Sequence, residues 1–180
     1  MRTIINRMPN RRNFLRGKYT VEIGYPWLSY GAIMAIEEKL KPTDNMLELG
    51  SGGSTIFFSR RCNSVKSYDP ESVWVEKVKA ALSKPSNVTF VCGDGSVLIE
   101  TVKKEPNEYY DWLLVDISNS QRFRLKMIRE ATPKLKKGGF MIVDNYDKRF
   151  INRFDYTGWD VYTFDDFDYA GRGTRICIKQ

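Results

Sequence analysis

A chain of 180 residues is long enough for one domain with a full core and too short for two ordinary ones. Its 42% hydrophobic and 13% aromatic content excludes a disordered protein. The formal charge of +7 points to nucleic acid only until it is located: Arg2, Arg7, Arg11, Arg12, Arg16 and Lys18 all precede the first acid, Glu22. Removing those six from the 29 lysines and arginines leaves 23 basic against 22 acidic residues, so the expected organisation is a basic N-terminal arm (1–18) before a nearly neutral single domain (19–180). Such an arm is read as a solvated tail, although RNA, anionic lipid or a second subunit would also meet it first.

No apolar run approaches the ~18 to 20 residues that cross a bilayer, and the basic start has no apolar signal-peptide core, so a soluble, cytoplasmic protein is expected. Cys62, Cys92 and Cys177 are odd in number, widely spaced and set in apolar segments. Buried free thiols are expected, with no disulfide framework or zinc site. Tyr25-Pro26-Trp27 is a rigid extended step, after which Leu28, Ala32, Ile33, Ile36 and Leu40 keep helical spacing until Lys41-Pro42.

Next comes Asn45 to Ser54, NMLELGSGGS, where Met46, Leu47 and Leu49 supply a buried strand and Gly50, Gly52 and Gly53 follow at once. Thr55 to Arg61 reads as a helix with Ser54 placed to cap it. Glycines at a strand-to-helix turn let a ligand approach the free N–H groups of the helix start. The dinucleotide fingerprint would need a sixth-place glycine where Thr55 stands, and the phosphate loop a lysine that is absent. What remains is E-x-G-x-G-x-S, opened by Glu48; a plain glycine-serine turn with no ligand is the alternative.

Ser64 to Tyr68 forms a second strand ending on Asp69, 19 residues after Gly50, a separation that brings an acid beside the loop. Asp69 then either accepts ribose hydroxyls or starts a turn into a helix over Glu71–Ser83, whose stripe is Val73, Val78, Ala81 and Leu82. Val88–Cys92 alternates as a third strand and runs into Gly93-Asp94, where Asp94 is a ligand contact, a helix cap, or both. Tyr109–Asp116 is apolar apart from Asp111 and the Asp116 on which it stops, as a central parallel strand should be. A helix over Gln121–Thr132 leads to Leu135-Lys-Lys-Gly-Gly-Phe-Met-Ile-Val-Asp144-Asn145, and Asp160–Phe167 and Thr174–Lys179 close the chain as two strands. Alternating strands and helices predict an α/β fold with a doubly wound, mostly parallel sheet.

The glycine loop, the acid after the second strand, Gly-Asp after the third and the phrase L-K-K-G-G-F-M-I-V-D-N occur in order. Together they resemble the class I S-adenosylmethionine-dependent methyltransferases, from about Trp27 to the C-terminus. The resemblance implies a Rossmann-like seven-stranded sheet with an antiparallel C-terminal hairpin. It also implies a cofactor site lined by Glu48, Gly50, Ser51, Gly52, Gly53, Ser54, Asp69, Gly93, Asp94 and Asp116.

Asp116, Asp144 and Asn145 should share one crevice, because ligands in open α/β sheets sit beyond the carboxyl ends of the strands. Their oxygens are similar in arrangement to the magnesium site of the catechol and caffeoyl-coenzyme A O-methyltransferases, though Asn119 stands where those enzymes carry a basic lysine. A metal-free account keeps Asp116 for the methionine amine or for orienting the acceptor as the catalytic residue. The chain has no histidine, so a proton acceptor must be a carboxylate, tyrosine, lysine or water. The sequence favours a small-molecule oxygen or nitrogen acceptor, with Tyr146, Phe150, Tyr156, Trp159 and Tyr169 as candidate pocket floor. An RNA methyltransferase using the arm and a non-catalytic cofactor-binding scaffold are the alternatives.

Overall fold

The structure, a computed structural model, describes residues 20–82, 85–117, 120–146, 153–165 and 173–180. The arm therefore lies outside the described residues, as do Asn119, Phe150 and Tyr169. Within them a short α1 (Thr20–Ile23) and α2 (Tyr30–Lys39) precede the alternation β1 (Asn45–Leu49), α3 (Gly53–Ser59), β2 (Ser64–Asp69), α4 (Ser72–Ala81), β3 (Val88–Cys92), α5 (Gly95–Lys103), β4 (Tyr110–Val115), α6 (Gln121–Ala131) and β5 (Leu135–Val143). Two final strands, β6 (Trp159–Phe164) and β7 (Thr174–Lys179), complete one seven-stranded sheet in the order β3-β2-β1-β4-β5-β7-β6.

The first five strands pair in parallel, and β7 inserts antiparallel between β5 and β6. Strand alternation explains the two layers of helices. Met46, Trp112, Leu114 and Ile142 face a core closed by Ile33 and Ile36 of α2 and by Phe57 and Phe58 of α3. Leu47, Leu113, Val115 and Met141 face the opposite core, closed by Leu98 and Val102 of α5 and by Met127 and Ile128 of α6. Trp112 stacks on Phe140 at 4.3 Å between ring centroids and donates its indole N–H to Asp44, so a large ring is buried without an orphaned donor.

Three local expectations change. Val73 is 85% exposed and Val75 is buried with Val78, because at 3.6 residues per turn a residue three before Val78 shares its face and one five before it does not. Cys92 is exposed while Cys62 and Cys177 are buried; β3 is an edge strand, so one side of it has no neighbour. The helix after the glycine loop begins at Gly53 with Gly52 as its N-cap, so Ser54 lies inside the first turn and does not cap it. No described helix is long and apolar enough to cross a membrane.

Candidate active site

The order in which strands are added reverses between the parallel neighbours β1 and β4: β2 and β3 extend the sheet one way, β4 and β5 the other. Such a switch point opens a crevice at the carboxyl ends of the strands. Gly50 leaves β1 there with φ +102°, and a Cβ on it would stand 2.5 Å from the Asp116 carbonyl oxygen. Only glycine lets the loop pass this close to the end of β4. The amide of Asp116 donates to Leu49 at 2.8 Å and that of Gly50 to Tyr68 at 2.8 Å, locking the loop between β2 and β4.

The loop is held from beneath by Glu48, which is fully buried. Its Oε1 accepts from Ser54 Oγ and its Oε2 from Thr55 Oγ1, each at 2.6 Å. Burial raises the Glu48 carboxyl to about 7 against the opposing pull of these hydroxyls. Glu48 thus shapes the loop from beneath, with Ser54 and Thr55 of the first turn of α3 as its donors. Gly53 is turned away from the loop's open surface: its Cβ direction meets the carbonyls of Tyr25 and Thr20 at 2.3 and 2.5 Å, so it admits the segment around α1.

Asp69 is buried, and it ties the loop from the side. Its Oδ2 accepts from the Ser51 amide at 2.8 Å and its Oδ1 from the Glu71 amide at 2.9 Å. The turn-forming role is therefore present in the fold itself. Ser51 Oγ meets Ser67 Oγ at 2.8 Å, and the Ser51 carbonyl accepts from Trp74 Nε1 at 2.6 Å. Asp94, after Gly93, caps α5 through Oδ1 alone, accepting from the amides of Ser96 and Val97 at 2.8 and 3.0 Å and from Ser96 Oγ at 2.5 Å. The rest of this exposed carboxylate stands outside those bonds.

Asp116 is the carboxylate at the switch point, its side chain 39% exposed. Protein crowds it on the sides away from the opening, which raises its pKa, while Arg124 lowers it and Asp69 raises it. Arg124 was not singled out by sequence reasoning. It projects from α6 with only 11% of its side chain exposed, 3.6 Å from Asp116 Oδ1, and donates to the carbonyls of Val115 and, at 2.8 Å, Asp144. A cation thereby joins the ends of β4 and β5. The signal was present in the helix: Arg124 precedes Met127, Ile128 and Ala131 at helical spacing, on the buried stripe where a charge needs a reason.

Asp144 is buried and fully engaged, accepting from Thr174 Oγ1 at 2.9 Å on Oδ1 and from Asn145 Nδ2 on Oδ2. Burial first and the Asp116 charge second raise its pKa. These side chains do share one end of the sheet, but they do not fit a divalent cation. Asp144 is committed to protein donors, Asn145 presents its amide nitrogen to it, and the Arg124 guanidinium already neutralises Asp116. A magnesium site built from Asp116, Asp144 and Asn145 would require all three to rearrange, and the described residues hold no other cluster of three or more acidic, cysteine or histidine ligands. Of the expected pocket aromatics, Tyr146, Tyr156 and Trp159 are partly buried against the core beside β5 and β7.

A family model described as a methyltransferase domain matches residues 47–146, the span from β1 through the end of β5. The chain belongs to the class I S-adenosylmethionine-dependent methyltransferases. A comparison with curated protein sequences found no match. Among solved structures, this methyltransferase fold is similar to an rRNA methylase of Streptococcus thermophilus, at 15% identity and TM-score 0.65 over 83% of this chain and 95% of that one. A Streptococcus mutans protein in complex with SAH matches at 16% identity and TM-score 0.65, over 83% and 96% of the two chains. Aeropyrum pernix fibrillarin, with natively bound S-adenosyl-L-methionine, matches at 16% identity and TM-score 0.61, over 77% and 67%. At these identities the likeness is one of fold.

Proposed function

We propose that the methyltransferase holds S-adenosylmethionine across the ends of β1 to β4 and transfers its methyl group, without a divalent cation, to a small-molecule oxygen or nitrogen acceptor over β4 and β5. The observation that carries this is spatial order. Asp94, Asp69, the glycine loop, Asp116 and Asp144 follow β3, β2, β1, β4 and β5, which are consecutive neighbours in the sheet. They therefore form a continuous acid rim with glycine backbone at its centre. A ligand bearing a sulfonium and an ammonium suits carboxylates, where a phosphate would meet repulsion.

Bound there, S-adenosylmethionine supplies an electrophilic methyl carbon and leaves as S-adenosylhomocysteine. The chain contributes placement, which can supply much of the rate for an in-line displacement. Asp94 and Asp69 flank the nucleoside half, the Ser51 and Gly52 backbone the methionine half, and Asp116 the reacting centre. Asp116 orients the acceptor and takes its proton, and Arg124 keeps that carboxylate ionised despite its acidic neighbours. Glu48, Ser54 and Thr55 fix the loop without touching the ligand.

Calorimetry on the full chain tests the reading. Both S-adenosylmethionine and S-adenosylhomocysteine should release heat, equally with and without a chelator, and Asp69→Ala should weaken both by roughly 1 to 3 kcal/mol. Absence of heat from a folded sample overturns the proposal. Retained binding with no turnover on any acceptor would favour a non-catalytic scaffold. Association with RNA that falls steeply with salt would move the acceptor to RNA reached by the basic arm.

A further inference from the structure

At its β5 and β7 end, beside the last acids of the rim, the crevice carries basic side chains. Arg175 is the second residue of β7, paired in register with Val143, the last residue of β5. Alternation along β7 puts it on the side of Cys177 and Val143, the side covered by α6. Its guanidinium therefore stands at the strand end from which Asp144 and Asn145 depart, 4.4 Å from the ring centroid of Tyr146 and 5.6 Å from that of Tyr156. The nearby carboxylate of Asp165 is engaged by the Tyr146 hydroxyl at 2.5 Å.

The buried Arg175 Nε has no hydrogen-bond partner among the described residues, and the buried Tyr156 hydroxyl has none there but the Arg175 guanidinium, which leaves its own proton to donate. A guanidinium cannot shed its proton to relieve burial, so a missing partner leaves a cost that a bound anion would remove. Stacking against tyrosine rings holds the planar fork in place before any ligand arrives. Burial first and Cys177 second raise the pKa of the Tyr156 hydroxyl, whereas the Arg175 hydrogen bond and charge, and last the Arg124 charge, lower it, so both guanidiniums act on the same spot. Guanidinium charge thus enters the crevice at its β5 and β7 end, beside the last carboxylates of the rim, Asp116 and Asp144.

We infer that Arg175 is an acceptor-recognition residue: the methyl acceptor carries an oxyanion, carboxylate or phosphate, bound by the Arg175 guanidinium and the Tyr156 hydroxyl. The word acceptor rests on the methyl-transfer reading, whereas the anion site stands on its own geometry. A cationic cofactor and an anionic acceptor then occupy neighbouring parts of one crevice.

The test follows the side-chain Nε–H resonances of arginine in the full chain, with and without S-adenosylhomocysteine, during titration with benzoate, phenyl phosphate and neutral benzamide. At least one anion should shift the Arg175 signal saturably while benzamide does not, and the preferred anion distinguishes carboxylate from phosphate. Arg175→Gln should weaken that anion about tenfold or more with S-adenosylhomocysteine affinity unchanged, and Arg175→Lys should recover part of the loss. Benzamide matching the anions, no response to either anion, or an Arg175→Gln chain that binds the anion as before overturns the inference. Should Arg175→Gln fail to fold, the native titration decides alone. A chain that takes the anion but not S-adenosylhomocysteine keeps this site and overturns the methyl-transfer reading instead.

Discussion

Individual residues at the switch point work mainly by excluding alternatives. Gly50 combines φ +102° with a Cβ direction filled by the Asp116 backbone, so neither rotation nor side-chain adjustment can accommodate a methyl group. Gly50→Ala should cost several kcal/mol, on the order of a core-strain substitution, and abolish cofactor binding; urea unfolding and calorimetry measure the two effects. Glu48 offers a pH signature. Its folded pKa of about 7 lies above the ordinary 4.5, so the folded state favours the neutral acid. That contribution is fully present below about pH 4.5 and is lost as pH rises through about 7. Glu48→Gln, neutral throughout, should flatten the decline in unfolding free energy across that window. Parallel pH profiles for the two proteins would assign the decline elsewhere.

Between elements, the decisive contact is α6 against the ends of β4 and β5. Arg124 serves two strand-end carbonyls and a carboxylate at once, so its loss removes a donor from the Val115 and Asp144 carbonyls and the cation beside Asp116. Arg124→Gln should destabilise the fold by roughly 2 kcal/mol and raise the Asp116 pKa further, followed by urea unfolding and by carboxyl-carbon NMR titration. The sign follows from removing the cation that lowers that pKa. If Asp116 must be ionised to act, the acid limb of the rate profile moves to higher pH in the variant. An unchanged Asp116 titration would reduce Arg124 to a purely mechanical strut.

For the whole molecule, the question is where the domain starts. Val21 of α1 is buried with Ile56 and Val78, and the Thr20 and Tyr25 carbonyls press on Gly53, so the folded unit includes α1. Deleting residues 1–18 should leave the melting transition and cofactor affinity unchanged, whereas deletion through residue 24 should lower both, because it uncovers the glycine loop. Loss of either property on removing 1–18 alone would move the boundary into the arm.

The fold was legible in the sequence because each element advertised itself locally. Strand-turn-helix punctuation around Gly50 to Gly53, the apolar run of β4 and the helical stripe of α2 are short-range patterns, and parallel pairing follows once strands alternate with helices. The positions of Asp69, Asp94, Asp116 and Asp144 at successive strand ends followed from that alternation. Tertiary structure alone decided what those acids bond to, because hydrogen-bond partners lie far apart in the chain: Asp144 meets Thr174 of β7, and Asp69 reaches back to Ser51. The same holds for the basic side chains of the crevice. Arg124 and Arg175 carry no motif and belong to different elements, and only the insertion of β7 beside β5, under α6, brings two permanent charges to the end of a sheet whose other ligands are carboxylates.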